Sequence, residues 1–487
     1  MKKIKKYKTM IFAVVCIISI IFAACSTDNA NDGNNADDVS KNADDSPVVE
    51  ETTKNEYSEF PDVKMDGRVF TIMNPQYSIE RHFYTAEEET GDSLNDAAYR
   101  RNVELEERFD ISIEVYGASN QDCYAALNKI VASGDDFIDL VVPHPNIGIT
   151  SLITEGLLLN WLNMKYIDFS KPCWNVDMQN TFKINDKLFY ACGDIPVTSV
   201  GIGAVLFNKA MVQELGLENP YNYVFSGTWT IDKFIEFTKG ASKDVNGDGA
   251  MDKNDIFGYI NNVMDYGYIW SSGLKIARND EAGKPTLSLL GERLGLVIEK
   301  MNVLINGADS YTVNDFMQSF DHFEDGRALT INWDIGTYWM NLRPIEFDFG
   351  ILPLPKLDES QENYYNFVGA GLMGIPCNVK DPENVSIIIQ AYAEGSYKYL
   401  RPAFFGNVLY NKCLKDEESQ NIMEMIHSSK VYDVGFSFDS KKIMPYIITE
   451  VVTKAKGTDY VSFYEKHADN VQADFDLIYE YVINNAQ

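Results

Sequence analysis

The residues best placed to do chemistry lie in the run Asp244 to Asp255, DVNGDGAMDKND. Asp244, Asn246, Asp248, Asp252 and Asp255 fall at relative positions 1, 3, 5, 9 and 12 of that run. Gly249 stands at position 6, where the chain must turn sharply, and Ala250 at position 7 offers its backbone carbonyl. This is the spacing with which a twelve-residue loop presents oxygens to Ca²⁺, a hard cation that takes six to eight of them. Asn, Asp and Gly also build turns that need no metal. The agreement of so many positions nevertheless predicts one structural Ca²⁺ held by Asp244, Asn246, Asp248, Ala250, Asp252 and Asp255. Asp at position 12 is shorter than the usual Glu, and Ile256 to Tyr259 reads as a strand rather than a second helix. The expected ion stiffens a loop and is not a switch. Other chemistry is thinly represented. The five histidines, at 82, 144, 322, 427 and 467, form no HExxH pair, and no G-x-S-x-G elbow occurs. The 72 acidic residues would offer carboxylate pairs in any fold, so they carry no argument for glycoside hydrolysis. No enzyme is expected.

The elements that position these residues alternate. Arg68 to Met73, Ile111 to Tyr116 and Ile138 to Pro143 read as strands, and Asn95 to Phe109, Tyr124 to Ser133 and Ile149 to Leu158 as helices. Such alternation with short loops predicts a parallel sheet covered by helices. Ligands of these sheets bind outside the carboxyl ends of the strands, which makes Asn74 and Tyr77 candidate ligand contacts and points also to Pro143-His144-Pro145-Asn146. Ahead of the acidic loop, Phe234, Ile235 and Phe237 give Ile231 to Lys243 helical spacing.

The chain ends and overall composition set the compartment. Lys2, Lys3, Lys5, Lys6 and Lys8 precede an apolar run, Met10 to Ala24, that is too short for a comfortable membrane span. It ends in Phe22-Ala23-Ala24-Cys25, which resembles a bacterial lipoprotein signal in which the Cys is lipidated; Phe22 stands where Leu is usual. Residues 1–25 are therefore expected to be a signal with Cys25 as the palmitate-bearing anchor, and 26–59 an acidic, Asn- and Ser-rich disordered tether. The expected location is the outer side of the cell membrane. A net charge of −30 excludes nucleic acid as a partner. Beyond Cys16 and Cys25, five cysteines remain without paired spacings and read as buried thiols, with one disulfide still open.

Four blocks carry a family resemblance. They are Leu206-Phe207-Asn208-Lys209 with Thr228-Trp229 and the Asn-Gly-Asp-Gly loop; Phe323 to Ala328, followed by Leu329 to Asn332 and Trp333-Asp334; Phe347 to Lys356; and Gly369-Ala370-Gly371-Leu372-Met373-Gly374-Ile375. In this order they resemble the family 1 extracellular solute-binding proteins, the lipoprotein receptors of ABC importers. The resemblance implies an α/β, two-lobe periplasmic-binding-protein-like fold of type II-like form, each lobe a mixed sheet flanked by helices. Lobe 1 is expected at 60–200 plus 355–405, and lobe 2 at 200–355 plus 406–487 with the closing C-terminal helices. It also implies that Trp333 stacks on a sugar ring while Asp334 bonds its hydroxyls. Trp333 as a core residue, and Asp334 as a helix cap, are the plain alternatives. Trp270 is a further candidate against the same core alternative, and Gly369 and Gly371 either let a ligand approach the backbone or serve a hinge or a tight strand crossing. Asp194 reads mainly as a turn residue. The expected protein is a monomeric, lipid-anchored receptor that delivers a small solute, an oligosaccharide, to ABC permease subunits. Alternatives are a peptide or polyol receptor, or a surface sensor or adhesion protein on the same fold.

Overall fold

The computed structural model describes residues 59–485, apart from 77–80, 120–121, 198–200, 336–344, 370, 408–413 and 415; the side chains of residues 81, 82, 316 and 333 also lie outside the description. The signal, Cys25 and the tether are outside it. Among the described residues, no helix is long and apolar enough to cross a membrane.

The first sheet is parallel. Its strands β1 (Arg68–Pro75), β2 (Ile111–Ala118) and β3 (Leu140–Val141) stand in the order β2-β1-β3. β1 pairs with β2 from Arg68↔Ile111 to Pro75↔Ala118, and with β3 at Ile72↔Leu140. β1 is central, so Phe70, Ile72 and Met73 are all fully buried, which is why it reads as a near-continuous apolar run. Helix α1 (Ser93–Phe109) connects β1 to β2; the Asp92 side chain accepts from the backbone N–H groups of Leu94 and Asn95 at its start. Helix α2 (Cys123–Ser133) connects β2 towards β3, and α3 (Ile149–Thr154) follows. A segment from much later in the chain completes this lobe: Gly374 pairs antiparallel with Val141, and Met373 with Ala191.

The second sheet is mixed. β4 (Gly203–Asn208), β5 (Phe257–Asn261), β8 (Ser310–Thr312), β9 (Ala328–Asp334) and β10 (Phe349–Pro353) stand in the order β10-β4-β9-β5-β8, with β6 (Ala277–Asn279) and β7 (Pro285–Leu287) forming a separate hairpin. β9, β5 and β8 run parallel, while β4 is antiparallel to both neighbours. Helix α4 (Ile231–Thr238) covers this sheet, placing Phe234 5.2 Å from the Tyr259 ring. The Trp229-Thr230 pair before it has two jobs. Trp229 is fully buried and donates Nε1–H to the Pro353 carbonyl at 2.9 Å; Thr230 accepts from Lys233 N–H as N-cap. The short helix α5 (Gly267–Ser271) follows β5.

Three segments cross between the lobes side by side. Val368 bridges Ile202, Gly369 N–H donates to the Gly201 carbonyl at 3.1 Å, and β11 (Asn366–Phe367) pairs in parallel with β12 (Lys430–Val431). Helix α6 (Pro382–Gly395) returns to lobe 1, and α7 (Glu417–Ser428) to lobe 2. The last helix, α8 (Tyr460–Asn484), grips both lobes rather than lobe 2 alone. Lys187 Nζ donates to its Val482 carbonyl at 3.2 Å, while Gln472 accepts from Leu287 N–H at 3.0 Å and Asp476 pairs with Lys284 at 2.8 Å.

Candidate functional site

The carboxyl ends of the lobe 1 strands carry amides and an imidazole. Asn74, near the end of β1, is fully buried; its Nδ2 donates to the Val142 carbonyl at 3.3 Å and its Oδ1 has no partner. Just beyond β3, His144 Nδ1 and Asn146 Oδ1 are likewise enclosed without a close hydrogen bond, and Asn146 acts on the imidazole to oppose the fall that burial imposes on it. An unsatisfied buried polar atom costs about 1–3 kcal/mol, so three of them at adjacent strand ends need a reason. Burial, with the Lys442 charge adding to it, pushes the His144 imidazole down to about 4, so it is neutral near pH 7.

From here a chain of side chains leads across to lobe 2. Asn146 acts on the Tyr446 hydroxyl, opposing the rise that burial imposes on it. The Tyr446 ring meets that of Tyr266 edge-on at 5.5 Å. Tyr266 in turn feels the charge of Asp334, which ends β9 opposite Gly203. The lobe 2 strand ends are fixed by a polar network. Asn262 Nδ2 donates to Ser319 Oγ and to the Asn332 carbonyl, both at 3.0 Å, and Asn332 Nδ2 donates to Asp265 Oδ1 at 3.3 Å. Tyr259 Oη also donates to Asp265, whose carboxyl is pushed up to about 7 by burial. This network holds the backbone that presents Trp333 and Asp334.

The expected site residues divide. Asn74 and Asp334 lie at strand ends, the first fully buried and the second half-buried. Trp333 lies in β9 opposite Ala204, with its side chain outside the description; Tyr77 is outside the described residues altogether. Trp270 is a correction. It sits in α5, not on an open loop, and is fully buried. It stacks on Phe367 at 3.8 Å and 15°, and donates Nε1–H to Asp433 at 2.6 Å, so neither face is open to a ligand. Gly369 and Gly371 lie in the strand crossing. Gly369 bonds across the crossing segments, and Gly371 adopts φ +81°, a left-handed conformation that suits glycine, with its carbonyl accepting from Cys192 Sγ. His144, Asn146, Tyr446 and Asp265 were not singled out individually as site residues from the sequence. The strand-end rule pointed to the segment holding the first two, whereas Tyr446 and Asp265 had no local signal.

The acidic loop is built of nested turns. Asp244 accepts from the N–H groups of Gly249 and Gly247 at 2.9 and 2.6 Å, Asp248 from Ala250 N–H at 2.8 Å, and Asp252 from Asn254 N–H at 2.8 Å. Fully buried Asp255 accepts from Val245 and Asp252 N–H at 3.0 and 2.9 Å. The Gly249 and Gly247 bonds hold the Asp244 carboxyl below its usual range. Among the described residues, no three His, Cys, Asp or Glu side chains are gathered into a metal-holding group.

No family model and no curated protein matches the sequence. Solved structures do match in fold. The GacH receptor of Streptomyces glaucescens GLA.O, solved unliganded and with acarbose, is similar at a TM-score of 0.57 and 9% identity over 85% of this chain and 99% of that one. UgpB from Mycobacterium tuberculosis in complex with glycerophosphocholine is similar at 0.56 and 15% over 86% and 100%. An ABC substrate-binding protein of Listeria monocytogenes in complex with cycloalternan is similar at 0.54 and 14% over 86% and 99%. The chain therefore has the two-lobe α/β fold of the ABC solute-binding proteins, each lobe a sheet flanked by helices and the two joined by crossing segments.

Proposed function

We propose that the protein is a solute receptor of an ABC importer, which captures a small oligosaccharide between its lobes and performs no chemistry on it. The observation that carries this reading is the cluster of enclosed polar atoms without a close hydrogen bond at the lobe 1 strand ends, Asn74 Oδ1, His144 Nδ1 and Asn146 Oδ1. Sugar hydroxyls are donors that match such acceptors, and a preformed cleft with a few convergent polar groups is how small ligands are held. Trp333 supplies the stacking face and Asp334 a further acceptor from lobe 2. Solved structures of the same fold hold acarbose, cycloalternan and maltotriose, which supports a saccharide. The glycerophosphocholine complex of UgpB keeps a polyol-derived solute as the second reading.

Calorimetry with maltotriose, cycloalternan, tagatose and glycerophosphocholine tests this. Saccharide binding that weakens at least tenfold in Trp333→Ala and Asn74→Ala is expected. Binding of glycerophosphocholine alone selects the second reading, and binding of none of them refutes capture of this solute class.

We further propose that Cys25 is lipidated, so that the receptor is tethered outside the membrane. Incorporation of labelled palmitate should disappear in Cys25→Ala. Calcium belongs to the same proposal. The spacing of Asp244, Asn246, Asp248, Ala250, Asp252 and Asp255 fits the ion, and the turns at Gly247 and Gly249 fold the loop tightly, although the Asp244 oxygens accept from the loop's own N–H groups. When bound, the ion would cross-link loop oxygens and stiffen the connection from α4 to β5. Chelation should lower the thermal midpoint by several degrees, and no change after chelation would sink the metal assignment.

A further inference from the structure

A groove of about 420 Å³ flanks the hinge, lined by Tyr397, Arg401, Pro402, Phe405, Glu424 and His427. Its walls ride on different lobes. The first four residues follow α6, which is locked to lobe 1: Arg101 donates to Ser396 Oγ at 3.0 Å and to Tyr392 Oη at 2.9 Å, and Phe404 meets Phe83 at 5.9 Å. Glu424 and His427 belong to α7. That helix is locked to lobe 2 by the Lys209–Asp416 ion pair at 2.7 Å and by the Tyr221–Ser419 hydroxyl contact at 2.5 Å. Beside the groove lies Lys430, on the crossing strand β12, with its ammonium 3.4 Å from His427 Nε2.

The chemistry of the walls is selective. The Arg401 guanidinium lies 5.2 Å from the Tyr397 ring and 6.0 Å from the Phe405 ring, and His427 packs edge-on against Phe405 at 4.9 Å. Arg401 reaches Asp194 only at 3.4 Å, and Lys430 acts on the same carboxylate, with a smaller contribution from Asp177. Two cations thus share one close carboxylate. His427 is pushed down to about 3 by burial and by Lys430 and Arg401, so it stays uncharged and polar. Glu424 is exposed, at the rim.

We propose that this groove is a second ligand site, for a small monocarboxylate with a flat apolar body, and that its occupant is coupled to the angle between the lobes. The carboxylate takes guanidinium donors that the long Asp194 contact leaves available, since Arg presents five in a planar fork. The apolar body lies against Tyr397, Pro402 and Phe405. Glu424 repels a second anionic group, which sets monocarboxylates apart from dicarboxylates. Because the walls move with different lobes, a ligand that fits one angle shifts the open–closed equilibrium by its differential affinity. None of this depends on what the strand-end site binds.

The test uses the purified full chain with benzoate, benzamide and phthalate as probes, read by calorimetry and by ligand-observed NMR. Benzoate is expected to bind about tenfold more tightly than either of the other two, a difference of about 1.4 kcal/mol. Arg401→Gln should remove that preference, and Tyr397→Leu, at a residue exposed enough to leave folding intact, should weaken benzoate severalfold. Equal binding of benzoate and benzamide, or benzoate binding untouched by both variants, overturns the site. Small-angle scattering with saturating benzoate should show a changed radius of gyration; an unchanged one overturns the coupling.

Discussion

At the scale of single residues, Asp433 is the most consequential side chain. It is fully buried and accepts from Trp270 Nε1 and Ile276 N–H at 2.6 Å, Gly435 N–H at 2.8 Å and Ala277 N–H at 3.2 Å. Burial raises its pKa, and these donors, Trp270 first, oppose the rise. Asp433→Ala should strand several buried donors and lower stability by roughly 3–5 kcal/mol in urea unfolding; a loss under 1 kcal/mol would refute the knot. Trp270 shows why residue roles were only partly legible. An isolated Trp in Ile269-Trp270-Ser271 looks the same whether it faces a sugar or Phe367, and its anchor lies 163 residues away in sequence. The strand-end rule did find Asn74, because position at a strand end is a local property.

Two titrating groups give opposite pH signatures. His144 is lowered from 6.5 to about 4, so the unfolded chain binds more protons between those values. Its contribution is present above pH 6.5 and lost as pH falls towards 4, roughly 3 kcal/mol in all. Asp194 is raised from 3.8 to about 6, first by burial. Its term runs the other way: present below pH 3.8 and lost as pH rises through 6. His144→Leu should therefore flatten the acid-side loss of stability, and Asp194→Asn should steepen it. Denaturant midpoints between pH 4 and 7 measure both, and identical profiles for the two variants would contradict the assignment.

At the scale of elements, the helix–strand alternation was readable because each period is local. α1 was expected from Asn95 and begins at Ser93, while β3 was expected over six residues and pairs over only two, Leu140–Val141. Ahead of that pair Asp139 still holds to β1, its N–H donating to the Thr71 carbonyl at 2.9 Å while its carboxylate accepts from Thr71 N–H at 2.9 Å and pairs with Arg68 at 2.5 Å. The packing of α4 on β5 turns on Gly258, which no motif of chemistry required. A Cβ there would lie 2.3 Å from the Thr238 carbonyl oxygen at the end of α4. Gly258→Ala should cost about 3 kcal/mol, since backbone cannot yield as a side-chain tip does. The cap is a smaller matter, and Thr230→Ala should cost about 1 kcal/mol. Equilibrium unfolding of the two variants should rank them in that order.

At the scale of the whole molecule, the two lobes were legible from four spaced motifs, whereas the strap made by α8 was not. A 25-residue amphipathic helix announces a buried face but not which surfaces receive it. Solute capture should draw the lobes together, with a radius of gyration that falls on saturation by the bound saccharide; binding with no change of dimensions would argue against a hinge. The return of Gly374 to pair with Val141 has a consequence for how the molecule is made. The lobe 2 sheet is drawn from one stretch, β4 to β10, and is complete once Pro353 has emerged. The lobe 1 sheet begins at Arg68 yet waits for Met373 and Gly374, and its outer face waits for Lys187 to meet Val482. A chain that emerges N-terminus first therefore finishes its second sheet before its first, and the earliest strands stay exposed longest.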